Sequence, residues 1–231
     1  MAALIEIFYS PKKVFEYVRD QRAWAIALIA NLLLMTAFLT GVQHAIGLEN
    51  IARQQMESNS FTKNMTPEQK ETAISQASTP SRQIIGLVAT PVVIAVIMAF
   101  FAVLYMAIAA MSGGPIKFSQ AFGAANYSAW PFNVVTAILS CIVVFISADR
   151  SELDPQHLLA FNAGAFMDKA TASKPLYALA SSFDILILAQ MAFAAWALSI
   201  VARISLGKAL AGLIVIWVFM TAIRMGFSLV F

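Results

Sequence analysis

Five long apolar runs dominate the chain, at about residues 23–43, 84–111, 130–148, 183–202 and 209–231. A hydrocarbon core about 30 Å thick takes roughly 20 helical residues to cross, and each run meets or nearly meets that length. The pattern predicts an all-α polytopic membrane protein with five transmembrane helices. All 231 residues are expected to form one bundle with little room for a water-soluble domain. Small residues at Ala95/Ala99 and Ala222/Gly226 are candidate helix–helix contacts.

Residues 1–22 follow a different rhythm. Ser10-Pro11 supply an N-cap and a first-turn proline for a helix with Val14, Phe15 and Val18 on one side. Lys12, Lys13, Glu16 and Arg19 fall on the other. This predicts an N-terminal amphipathic helix at the membrane interface. It serves either as an anchor or as a docking surface for a cytoplasmic partner, with Lys12, Lys13 and Phe15 as its contact residues. The acids Glu6, Glu16 and Asp20 beside the cations argue against a cleavable signal peptide.

Two polar loops separate the runs. In the first, about 44–83, Thr66-Pro67-Glu68-Gln69 reads as N-cap, first-turn proline and capping-box glutamine, predicting a helix from Pro67 to about Ala77. In the second, about 149–182, Asp154-Pro155 predicts the start of a helix carrying Leu158, Leu159, Phe161 and Phe166. Those apolar residues are expected on the bilayer surface or against the first loop. Asn64-Met65-Thr66 and Asn126-Tyr127-Ser128 match the glycosylation sequon, a pattern that arises often by chance.

Composition agrees with a membrane location: 60% hydrophobic, mean hydropathy +0.77 and 12% charged residues, against roughly 25% in soluble domains. The net charge of +3 is small and spread around the membrane boundaries, so nucleic-acid binding is not indicated. Orientation follows from the basic residues. With the N-terminus inside, short inner segments carry Lys12, Lys13, Arg19, Arg22, Lys117, Arg203 and Lys208. Longer outer loops carry Arg53, Lys63, Lys70, Arg82, Arg150, Lys169 and Lys174, together with most of the acids. Density favours N-inside, C-outside. Cys141 is the lone cysteine, read as an inert buried thiol.

Ionisable residues inside spans are costly and point to function. Asp184 lies 19 residues before Arg203, and Arg224 lies 16 after Lys208. At 1.5 Å per residue both sit roughly 24–28 Å from the inner boundary, which predicts an ion pair between adjacent spans. The competing reading has each side chain reaching the outer surface independently. Asn31, Thr90, Asn133 and Gln190 are uncharged mid-span groups suited to helix–helix hydrogen bonds. His44 and His157 lie in different loops without metal-ligand spacing, so neither a metal nor a cofactor is expected. No nucleophile motif or phosphate loop occurs, and no catalytic residue is assigned.

The connection after the second run is the most distinctive stretch: Ser112-Gly113-Gly114-Pro115-Ile116-Lys117-Phe118-Ser119-Gln120-Ala121-Phe122, then Asn126-Tyr127-Ser128-Ala129-Trp130-Pro131. Gly113-Gly114-Pro115 should stop the second helix. Phe118, Ala121 and Phe122 would then share one face of a short interfacial helix, and Pro131 would stand near the start of the third span. The order G-G-x-x-x-F-x-x-A-F with Y-x-x-x-P resembles the Yip family of Ypt/Rab-interacting membrane proteins and their prokaryotic relatives. The entry FYSPKKVFEYV, Phe183-Asp184, Gly207-Lys208-Ala209 and Trp217 in the last span add to the resemblance.

The resemblance implies five spans with the N-terminus inside, in a bacterial cytoplasmic membrane if the chain is of the prokaryotic type. It implies partnership with other membrane proteins, an ABC-type exporter among them, with self-association as a further option. Eukaryotic members carry a longer cytoplasmic N-terminal region than the residues that precede the first span here. The leading expectation is a non-enzymatic adaptor or scaffold accessory to transport or envelope machinery. Its partner-binding candidates are Lys12, Lys13, Phe15, Gly113, Gly114, Phe118, Phe122, Tyr127 and Pro131. The alternative is a small-solute transporter or channel with a polar path near Asp184 and Arg224.

Overall fold

The structure is a computed structural model that describes residues 2–230 apart from 59–61, 63–64, 152, 156–157, 160 and 169–170, and leaves the side chains of 57, 58, 229 and 230 undescribed. The expectations that rest on Lys63, Asn64, Glu152, His157 and Lys169 lie outside the described residues. Among those described, the order is α1 (Ala2–Glu6), α2 (Pro11–Gln21), α3 (Ala25–Ile46), α4 (Leu48–Ser58), α5 (Pro67–Ala77), α6 (Pro80–Met111), α7 (Phe118–Ile146), a 3-10 helix (Ala163–Phe166), α8 (Lys174–Ser182), α9 (Ile185–Ala202) and α10 (Leu206–Val230). Five of these, α3, α6, α7, α9 and α10, are long and apolar enough to cross a membrane. The fold is all-α, as the apolar pattern required.

The spans alternate in direction, which gives the bundle two unlike ends. At one end lie α1, α2, the α6–α7 connection and the α9–α10 connection, where Lys12, Lys13, Arg19, Arg22, Lys117, Arg203 and Lys208 gather. We refer to it as the basic end. The loop end holds α4, α5, the 3-10 helix and α8. Here the capping box of α5 forms as expected: Thr66 Oγ1 accepts from Gln69 N and Gln69 Oε1 accepts from Thr66 N. Arg53 ties α4 to α5 through Glu71, with Glu49 as a second partner.

The core is concentrated toward the basic end. Residues 121–129 of α7 are buried without a break, Ala-Phe-Gly-Ala-Ala-Asn-Tyr-Ser-Ala, because α2, α3, α6 and α9 all pack around this half of the helix. Small side chains permit that closeness, and α9 answers with buried Ala194, Ala195, Ala197 and Ala202. Asn31 of α3 joins the contact, its Nδ2 donating to the Ala27 and Asn126 carbonyls while its Oδ1 accepts from Asn133 Nδ2 at 2.8 Å. These are the helix–helix hydrogen bonds expected of Asn31 and Asn133. Thr90 instead bonds within its own helix, to Gly86 O.

Several expectations are corrected. The helix that holds the third apolar run starts at Phe118, so no separate short interfacial helix precedes it; Pro131 lies inside α7. The stretch 118–129 escapes a hydropathy count because protein, not lipid, surrounds it, so small and polar residues suffice. Residues 153–155 and 158–159 form no helix, and the described helical turns of the second loop are the 3-10 helix and α8. Of its apolar residues, Leu158 packs with Val42, Ile46 and Ile51, whereas Phe166 is exposed. Ala222 and Gly226 are exposed, not at a helix contact within the chain. Cys141 is exposed too, on a groove between α3 and α7 beside Ala37, Phe38 and Phe145.

Candidate functional site

The entry segment is built into the bundle. Ile7, Val14, Phe15 and Val18 are buried, and the Phe15 ring meets Phe193 at 5.3 Å and Trp196 at 6.0 Å, both on α9. Trp130 Nε1 donates to the Leu4 carbonyl at 3.0 Å, pinning α1 against α7. The amphipathic helix therefore spends its apolar face on protein. Phe15 and Tyr127 are buried within the chain and present no surface to a partner, and Phe122 is nearly so, sandwiched between Phe118 and Trp24. Lys12 and Phe118 are exposed. Lys13 is exposed as well, its Nζ 2.6 Å from Glu6 Oε1, a contact that raises its pKa.

The glycines of the α6–α7 connection do two different things. Gly113 takes φ +86°, the left-handed region that favours glycine. Gly114 lies so close to α9 that a Cβ there would collide with the Ala202 carbonyl oxygen and the Ile204 side chain. Nine residues on, a Cβ on Gly123 would fall 2.7 Å from Ala23 O and Val18 Cγ1. The connection and the first turns of α7 are thus wedged between the ends of α2 and α9. Lys208 Nζ donates to Ser112 O, and Gln120 Nε2 donates to Arg19 O at 2.7 Å. Gly113, Gly114 and Pro131 act as architecture of this end.

These three segments enclose a recess of about 430 Å³ lined by Arg19, Asp20, Arg22, Gln120 and Arg203, with Pro115 and Ile116 at its side. Arg19 holds Asp20 through two bonds, Nε to Oδ1 and Nη2 to Oδ2. That hydrogen bonding keeps the Asp20 carboxyl below its usual range, with the charge of Arg203 acting in the same sense. Arg22 and Arg203 each end a helix in the left-handed conformation, φ 52° and 55°. Sequence reasoning counted these arginines toward orientation and did not group them. The local signal was present in each: a helix stops at arginine where glycine is usual.

The Asp184–Arg224 ion pair does not form. Asp184 is the N-cap of α9, its Oδ1 accepting from Leu186 N at 2.8 Å and Ile187 N at 3.2 Å. Its backbone is held by Asn162 in an antiparallel bridge, with Ile185 N donating to Phe161 O. Two amide donors and the positive end of the helix stabilise the carboxylate without a cation. Arg224 is exposed on α10. A separate recess among α6, α7, α9 and α10, about 370 Å³, is lined chiefly by Met98, Phe101, Met191, Leu213 and Trp217, with Tyr105 and Gln190. It is an apolar pocket, not a polar path.

The arrangement to be matched is therefore five spans, a docked N-terminal segment and a glycine-wedged connection. The sequence matches the family described as Yip1 domain over residues 5–227, almost its whole length. The chain belongs to the Yip1 family. No curated protein matches it, and no solved structure does. With five apolar helices and the Yip1 domain, it is an integral membrane protein. In this Yip1 chain the matched region takes in the entry segment, the glycine connection and all five spans, so the basic end belongs to the family unit.

Proposed function

We propose that this Yip1 protein is a non-enzymatic membrane adaptor that binds other membrane proteins through its basic end. We place that end in the cytoplasm, in a bacterial cytoplasmic membrane, with the partner a component of transport machinery such as an ABC-type exporter. The observation that carries the reading is the contrast between the two ends of the spans. The basic end is densely packed, and it presents Lys12, Lys13, Lys117 and Phe118 outward. Orientation is supported by the short basic connections at that end. The transporter alternative draws less support, since Asp184 caps a helix and the recess among α6, α7, α9 and α10 is apolar.

The test is lysine-directed crosslinking in native membranes, followed by gentle solubilisation and mass spectrometry. A membrane partner crosslinked to Lys12, Lys13 or Lys117, and lost in a Lys12→Glu/Lys13→Glu/Phe118→Ala variant while retained in Arg82→Gln, is the expected result. Recovery of the protein alone or only with itself would overturn the adaptor reading and direct attention to liposome flux assays.

A further inference from the structure

We propose that the arginine-lined recess at the basic end binds a phosphate group. Three cationic side chains and one carboxylate line it, and the carboxylate is already occupied by Arg19. The guanidinium groups of Arg22 and Arg203 carry neither a hydrogen bond nor an ion pair among the described residues, although the Arg203 charge reaches Asp20. A planar guanidinium matches phosphate oxygens two at a time, which makes a pair of uncommitted arginines a phosphate site by chemistry.

The backbone gives the second, independent observation. Among the described residues other than glycine, Arg22 and Arg203 are the two with positive φ. Both face the same recess, although they belong to helix ends 181 positions apart in the chain. Left-handed backbone at a non-glycine residue is costly and persists where surrounding structure holds it. A helix stop alone would be met more cheaply by glycine, and here both stops carry a guanidinium at the recess instead.

Depth names the source to test first. Arg22 lies three residues before Ala25, where α3 begins, and Arg203 directly follows Ala202, the last residue of α9. Both stand within one helical turn of a span end, at the level of lipid headgroups, where basic pockets between membrane helices take anionic lipids. Gln120, in the first turn of α7, stands at the rim and braces it, its Nε2 donating to Arg19 O and its Oε1 accepting from Lys117 N.

The experiment titrates the purified full chain in neutral detergent with short-chain phosphatidylglycerol or phosphatidylcholine, read by native mass spectrometry. A parallel arm uses glycerol 3-phosphate and inorganic phosphate. The variants are Arg22→Gly and Arg203→Gly, which suit the backbone, and Arg22→Gln and Arg203→Gln, which keep the side-chain length. The expected result is preference for phosphatidylglycerol, weakened about tenfold or more by each substitution, the loss of a charge-assisted hydrogen bond. Arg82→Gln, at the opposite end, should bind as the unaltered protein does. Arginine-dependent binding of the soluble phosphates alone would uphold the site and assign it a soluble phosphate ester. Equal binding of both lipids, or a preference that the glycine and glutamine variants leave intact, would overturn the proposal and leave the arginines as helix caps only.

Discussion

Gly113 and Gly114 are neighbours, yet they resist substitution for different reasons. At Gly113 the obstacle is the chain's own conformation: φ +86° with open space around it, so alanine should cost about 1–2 kcal/mol. At Gly114 the obstacle is another segment, because a Cβ would press on the Ala202 carbonyl, and backbone cannot step aside as a flexible side chain can. Overpacking of this kind costs about 1–3 kcal/mol or more, and here it would prise the connection from α9. Gly207 has nothing within 4 Å of its would-be Cβ and sits in a helix, where alanine is favoured. Thermal unfolding in detergent should therefore rank Gly114→Ala as the least stable, Gly113→Ala next and Gly207→Ala at or above the unaltered protein. A Gly114→Ala protein as stable as the parent would mean that the connection is not seated against α9. Proximity decides at one glycine and torsion at the other, and only the torsional demand was readable from Gly-Gly-Pro in sequence.

At the scale of elements, α2 shows what a hydrophobic stripe does and does not say. The stripe Val14, Phe15, Val18 was legible, as were the helix start at Pro11 (though the Ser10 side chain makes no capping hydrogen bond), the α5 capping box and the existence of five spans, because each rests on local spacing. What the stripe covers was not legible, since lipid and protein satisfy the same apolar residues equally well. The start of α7 was missed for the converse reason: wrapped by four helices, residues 121–129 need to be small more than they need to be apolar. The recess was hidden because Arg22, Gln120 and Arg203 meet only once α2, α7 and α9 are docked. Docking of α2 can be tested through Phe15, whose ring touches Phe193 and Trp196. Phe15→Ala should cost about 3–5 kcal/mol if the ring is core. It should also release residues 1–22 to limited proteolysis in detergent while the spans stay protected. Unchanged stability and unchanged cleavage would return α2 to the lipid interface.

Across the whole molecule, packing density changes along the membrane normal, and this shapes what each end can do. The basic-end halves of α6, α7 and α9 hold Ala102, Tyr105, Ala109, Ala121, Phe122, Tyr127, Ala195 and Leu198 in one continuous core. The loop-end halves turn Ile84, Val88, Val92 and Val96 of α6 and Ile138, Ile142 and Phe145 of α7 outward. The bundle is closed at the basic end and splayed at the other, a packed base carrying a more open loop-end half. Arg150 lines the groove between the splayed α3 and α7, its Nε donating to Val144 O at 3.1 Å. The chain carries its own probe of this gradient. Cys141, its single cysteine, is exposed in the loop-end half of α7, and Ser128, 1% exposed, lies in the closed half of the same helix. Serine and cysteine are close in size, so Ser128→Cys in a Cys141→Ser background should fold. A membrane-permeant maleimide should label Cys141 in the folded protein, whereas a charged maleimide should not reach it in liposomes. The thiol introduced by Ser128→Cys should react with neither reagent until the protein is denatured. Equal labelling at the two positions would show that the basic half opens as readily as the other, and it could then support neither a docking face nor a phosphate site.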